Sequence, residues 1–193
     1  MSNELALLRR IEALEKQIFD KRPEIGKPYL EDLKTPAIPG LMNPVTAKPD
    51  YDYTNLGFLF DASTAEYVYI IQQMPHNWVA GTIIYPHVHW SPTTTHTGSV
   101  YWVMTYKWTN ENDADAGGTS IGGLQAGSGT AYTHQRVAIG TGIDGTGKTS
   151  SSILSIILQR SAAHASDTYT GDALLKVFDI HAWLDPSKSY WVP

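Results

Sequence analysis

From about residue 55 onward the chain breaks into short runs rich in Val, Ile, Tyr, Trp and Thr, separated by clusters of Gly, Pro, Asn and Ser. Such runs suit a pleated, half-buried surface, and the breakers between them suit turns. Candidate strands lie at 56–60, 66–73, 78–90, 99–108, 132–139, 152–160 and 173–183. Alternation supports several of them. Tyr101, Val103, Thr105 and Lys107 oppose Trp102, Met104, Tyr106 and Trp108. In the last segment, Leu174, Lys176, Phe178 and Ile180 fall on one face, with Leu175, Val177, Asp179 and His181 on the other. A strand with apolar residues on both faces lies inside a sandwich or at a subunit contact. Seven or eight strands in about 135 residues fit a β-sandwich, most naturally a jelly roll.

Composition narrows the function classes. The 193 residues allow one domain, or one domain with a tail. Charged residues make up 17%, against roughly 25% in an average globular protein. Aromatics reach 11%, too many for a disordered chain. The net charge of −5 offers no basic field for nucleic acid. With no cysteine there are no disulfides, thiolate metal sites or cysteine nucleophiles. Met1-Ser2-Asn3-Glu4 lacks the start of a signal peptide, and no run of about 18 apolar residues exists. Neither a membrane nor a nucleic-acid partner is expected. The low charge suits a protein packed against other chains.

Two segments precede the β pattern. Residues 1–22 read as an amphipathic helix, because Leu7, Ile11, Leu14 and Ile18 recur at helical spacing as an a/d stripe. Ser2 or Asn3 caps its start and Pro23 ends it. Two heptads are unstable alone in water, so the stripe buries against its own domain or a partner. Residues 23–54 hold Pro23, Pro28, Pro36, Pro39, Pro44 and Pro49. Each proline fixes φ and removes a donor, which predicts an extended arm with little regular structure. Its apolar residues, including Tyr29, Leu33, Ile38 and Leu41, argue that it lies on a surface. The expected organisation is therefore helix 1–22, arm 23–54 and sandwich 55–193. Within the sandwich, residues 114–130 are almost all Gly, Ala, Ser and Thr. They are expected to form a long loop, mobile or ordered by a neighbour.

Few motifs carry chemistry. Gly142-Ile143-Asp144-Gly145-Thr146-Gly147-Lys148-Thr149 matches the phosphate-loop pattern. The Ser- and Ile-rich segment after it reads as a strand where that chemistry needs a helix, so a Gly/Thr hairpin loop is the better reading. His87 and His89, two apart on a strand, share a face, a common start to a Zn, Fe or Mn site. Gly81 to His89 also resembles the first half of the cupin motif. The carboxylate that cupins place next is missing, since those positions hold Pro92, Thr93 and Thr94. His181 or His96 could supply a third ligand. The plainer reading is a pair of strand histidines hydrogen-bonded in a polar sheet. His76 and His134 add nothing specific. No nucleophile elbow or singled-out acid pair exists, so no catalysis and no cofactor are expected.

The segment 79–90 with Pro86-His87-Val88-His89-Trp90, the aromatic strand 100–108, and Gly171-Asp172-Ala173-Leu174-Leu175 followed by Phe178-Asp179-Ile180-His181 resemble a group of tailed-bacteriophage virion structural proteins. These are jelly-roll proteins that decorate or cement the capsid, usually as trimers. The resemblance covers about 130 residues and rests on these short, partly compositional motifs. It implies a homotrimer made in the host cytoplasm and bound to major capsid subunits on the head surface. Leu7, Ile11, Leu14 and Ile18 of the helix and Tyr29, Leu33, Ile38 and Leu41 of the arm would make the contacts. Two alternatives stand beside it. One is a cupin-like metal-dependent enzyme using His87 and His89; the other is a phage fibre protein that binds a receptor or glycan.

Overall fold

The computed structural model describes residues 27–39, 48–115 and 117–188, together with Arg10. Apart from Arg10, the expected helix lies outside the described residues, as do Leu7, Ile11, Leu14, Ile18 and Leu41. From residue 27 on, the described chain holds eleven strands and no α-helix. They are β1 (Tyr29–Lys34), β2 (Ile38–Pro39), β3 (Asp50–Asp52), β4 (Gly57–Phe60), β5 (Glu66–Gln73), β6 (Tyr85–Pro92), β7 (Ser99–Thr109), β8 (Thr119–Ala126), β9 (Gln135–Ala138), β10 (Ile153–Arg160) and β11 (Ala173–Leu184).

The strands form two antiparallel sheets, a β-sandwich. The first runs β3-β4-β11-β6-β9, with β1 also paired to β11; the second runs β2-β5-β10-β7-β8. Inward-facing Phe60, Val68, Ile70, Val88, Trp90, Trp102, Met104, Leu158 and Phe178 fill the space between them. Trp78, Trp90, Trp102 and Trp108 are all buried, whereas Trp183 and several tyrosines are exposed. Trp78 and Trp108 pack at 5.4 Å, and Phe60 meets Trp102 edge-on at 5.1 Å. Such aromatic pairs add to the stabilisation from burial alone.

Several expectations need correction. The segment 114–130 is not a loop throughout, because β8 pairs along β7 from Ser99↔Ala126 to Tyr106↔Thr119. Its glycines mark close approach. A Cβ at Gly122 would meet the Tyr101 ring, and one at Gly123 would lie 2.2 Å from the Ala138 carbonyl oxygen. The arm also has regular structure. Tyr29 to Lys34 hydrogen-bonds along β11, and Ile38 and Pro39 pair with Tyr69 and Val68 of β5, so this stretch crosses from the first sheet to the second. Leu33 packs against the sandwich core. The strand expected at 78–90 begins only at Tyr85, after turns closed by Trp78 N–H to Pro75 and Thr82 N–H to Val79.

The alternation expected for β11 fails at one place. Its register with β6 skips a residue between Leu175 and Val177, leaving Lys176 in a bulge. Leu175 therefore shares the core face with Phe178 and Ile180, while Val177, Asp179 and His181 face outward. The bulge sets Asp179 directly across from His87.

Buried Arg160 joins the two sheets. Its Nε and Nη2 form a fork on Asp167, at 3.0 and 2.7 Å. Nη1 donates to the carbonyls of Phe60 (3.2 Å) and Gly171 (2.7 Å), and Nη2 also donates to Tyr169. Phe60 belongs to the first sheet and Arg160 to the second, so this cluster fixes their separation at one end.

Candidate functional site

On the outer face of the first sheet, strand pairing gathers four histidines and two aspartates. His87 and His89 come from β6, Asp179 and His181 from β11, and Asp32 from β1; His134 stands just before β9. The registers His87↔Asp179 and Asp32↔His181 put them in adjacent rows. His87 Nε2 lies 2.5 Å from Asp179 Oδ1, and His89 Nε2 lies 3.4 Å from Asp179 Oδ2. His181 Nε2 is 2.5 Å from Asp32 Oδ1. The His87 ring meets His181 edge-on at 4.3 Å, and His89 stacks on His134 at 4.9 Å with a 2.7 Å contact between their nitrogens.

Burial grades across the cluster. Asp179 and His87 are buried; His89 and His181 are half-buried and Asp32 is exposed. Burial, above all, holds His89 below the ordinary histidine value, with His87, His134 and Arg136 adding to the effect and Asp179 opposing it. The hollow beside the cluster measures about 240 Å³ and is lined by Asp32, Lys34, His89, His134, Lys176, Val177 and Asp179.

His87 and His89 share a face as their spacing requires, but that face lies outside the sandwich. Of the suggested third ligands, His181 joins the group and His96 does not; His96 instead contacts Thr170. Sequence reasoning did not single out Asp32 or Asp179, and it set His134 aside as adding nothing specific. One signal was present: His87-Val88-His89 and Asp179-Ile180-His181 are both polar pairs at strand spacing.

The phosphate-loop segment and two residues of the arm have these places in the fold. The phosphate-loop match lies between β9 and β10 with no helix after it. Lys148 Nζ donates to the Trp108 carbonyl at 2.6 Å, and Asp144 Oδ1 accepts from Thr146 in a turn. Tyr29 pairs with Leu184 at the start of β1, and the backbone of Ile38 pairs with β5. A larger open hollow of about 570 Å³, lined by Gln73, Asn110, Glu111, Asp115, Ser151 and Ser155 among others, holds no histidine. No helix among the described residues is long and apolar enough to cross a membrane.

The outer face of the second sheet is the opposite in character. It presents Tyr69, Ile71, Val103, Leu124, Ile153 and Ile157 among small polar residues, and Lys107 is its one formal charge on β5, β10, β7 and β8. Ile71 is 61% exposed and Leu124 51%.

No family model and no curated protein matches the chain. Among solved structures, dimeric latent PorU from Porphyromonas gingivalis superposes with a TM-score of 0.40 at 12% identity, over 84% of this chain and 13% of that one. A likeness at that level carries no argument about fold or function.

Proposed function

We propose that the chain is an assembly subunit of a tailed-phage virion: a capsid decoration protein that binds the major capsid protein on the head surface as a homotrimer. The observation that carries this reading is the outer face of the second sheet. Large apolar side chains stand there in water with almost no charge among them, a surface that monomers rarely keep. Two further copies of this chain are the occupants that such a face suits, since closed rings are common in homo-oligomers. The strand order adds support. β4-β11-β6-β9 packed on β5-β10-β7-β8 is the double Greek key of a jelly roll, an architecture that capsid domains use. Fold alone does not give function, so the weight rests on the surface.

The cupin-like alternative lacks the cupin arrangement around its histidines. His87 and His89 point away from the sandwich interior, and no carboxylate follows them on β6.

Native mass spectrometry of the full chain tests the reading. A trimer is expected, together with a folded monomer on Ile71→Asp/Ile153→Asp substitution. A monomer at every concentration would sink it. Cosedimentation with shells of the major capsid protein tests the partner. The full chain is expected to pellet with the shells, and a truncation lacking residues 1–22 to stay in solution; undiminished binding by the truncation removes the anchoring role of that segment.

A further inference from the structure

We propose that His87, His89 and Asp179 bind one divalent transition-metal ion of the zinc class on the outer face of the first sheet. The site is independent of the assembly surface proposed above, which lies on the other sheet.

Asp179 sets the problem. It is 1% exposed, so its carboxylate has lost nearly all contact with water. A buried carboxylate needs hydrogen-bond donors or a cation. Its Oδ1 has no hydrogen-bond partner, although His87 Nε2 lies only 2.5 Å away. The two atoms are close but do not point at each other. Neither lysine lining the hollow resolves this. Lys176 donates to the Asn55 carbonyl, and among the described residues no ion pair joins Lys34 to Asp179.

The tautomer of His87 sharpens the point. Its Nδ1 contacts the Tyr85 carbonyl at 3.4 Å. A carbonyl only accepts, so this contact favours the tautomer with its proton on Nδ1, the one whose Nε2 offers a lone pair to a metal. A lone pair beside a carboxylate oxygen is repulsive unless a positive charge sits between them. A backbone carbonyl on the far nitrogen is also what metal-binding histidines commonly have.

Off-axis packing is the mark of donors arranged around a shared centre. Ligands of one ion point at the ion and not at one another. Zinc takes nitrogen and oxygen ligands at about 2.0–2.2 Å, so two tetrahedral ligands stand about 3.4 Å apart. His89 Nε2 and Asp179 Oδ2 are 3.4 Å apart. The three ligand atoms lie within 4.8 Å of one another. The closer His87–Asp179 contact opens by about 1 Å to reach that spacing. Two imidazoles and one carboxylate are a donor set for Zn²⁺, Co²⁺, Fe²⁺ or Ni²⁺ rather than for Ca²⁺ or Mg²⁺. The half-exposed side of His89 leaves an open position for water. A second group, Asp32 with His87 and His181, shares His87. It is the weaker donor set, because Asp32 is exposed and so lacks the need that burial imposes on Asp179.

The test is metal uptake by the untagged full chain, stripped with chelator and dialysed against Co²⁺ or Zn²⁺ alone. The expected result is one ion per chain, visible ligand-field absorption with Co²⁺, and a raised Tm with Zn²⁺. Asp179→Asn and His89→Gln are each expected to lose the uptake, and Asp32→Asn to keep it. Far-UV circular dichroism establishes that the variants fold; His89→Gln serves if Asp179→Asn does not. No uptake by the parent chain would overturn the proposal. Uptake that survives both variants, or that is lost in Asp32→Asn alone, would overturn it equally.

Discussion

Removing the Asp167 carboxylate should cost this sandwich a large part of its stability. Arg160 is fully buried, and each of its five N–H donors has an acceptor. Asp167 supplies two of those acceptors and also accepts the Tyr101 N–H at 3.0 Å. In Asp167→Ala the guanidinium keeps three carbonyls but loses its counter-charge in a place water does not reach. Breaking a buried pair from one side costs about 3–5 kcal/mol. Counting two charge-assisted hydrogen bonds at about 1.5–3 kcal/mol each gives a similar figure. Against a total of about 5–15 kcal/mol, that brings the variant near unfolding. At about 2–4 °C per kcal/mol for a chain of this size, Tm falls by roughly 6–20 °C. Urea unfolding is the assay, with the slope m checked so that the change is one of stability. Arg160→Met should cost more, because it strands a carboxylate and the carbonyls of Phe60, Tyr169 and Gly171. The loss should hardly vary with salt, since buried charges escape screening. A loss below about 1 kcal/mol, the scale of an exposed pair, would refute the reasoning.

Gly123→Ala should destabilise by about 1–3 kcal/mol, as overpacking does, because the new Cβ would fall 2.2 Å from the Ala138 carbonyl oxygen where β8 crosses β9; an unchanged midpoint in urea would show that the two strands can part at no cost. Leu56 sits at φ +51° with its side chain largely exposed. Leu56→Asn should therefore gain about 1 kcal/mol by relieving a left-handed conformation that asparagine tolerates, read as a higher Tm. Burial holds the Glu66 carboxyl above its usual range, with Asp61, Asp50 and Asp172 adding to the effect and the Asp61 N–H opposing it. A folded-state pKa raised above the unfolded value means that the native state binds the extra proton. This contribution to stability is present below about pH 4.5 and is lost as pH rises through the folded value. Glu66→Gln should then be more stable than the parent at pH 7, with the difference vanishing below that point; a constant difference across pH would contradict the assignment.

The strands were legible where the residue type does the positioning. Segment 66–73 matches β5 to the residue, because its β-branched and aromatic residues alternate around a core without interruption. Segment 114–130 misled because Gly122 and Gly123 read as looseness. They are there because a tyrosine ring and a carbonyl of another strand come too close for a side chain. Lys176 gives no sign that it occupies a bulge, yet it reverses the facing of every residue after it. The candidate site was half legible for the same reason. The spacing of His87 and His89 is a local property, and it placed both on one face. Asp179 and Asp32 reach them only through the pairing registers of β6, β11 and β1, which no local pattern encodes.

The two outer faces make a last prediction that binds the proposals together. One face has a single charge on its four main strands; the other carries Asp32, Lys34, His87, His89, Arg136, Asp179 and His181. The sandwich core separates them, so substitutions on opposite faces share no partners and their effects should add. Ile71→Asp should lower the solution mass and leave Co²⁺ uptake at one per chain. His89→Gln should abolish uptake and leave the mass unchanged. Size-exclusion chromatography with light scattering, run with and without chelator on both variants, reads both quantities together. If His89→Gln or chelator alone dissociates the assembly, the metal lies at a subunit contact. The first sheet would then be the interface, and the apolar face of the second would need another occupant.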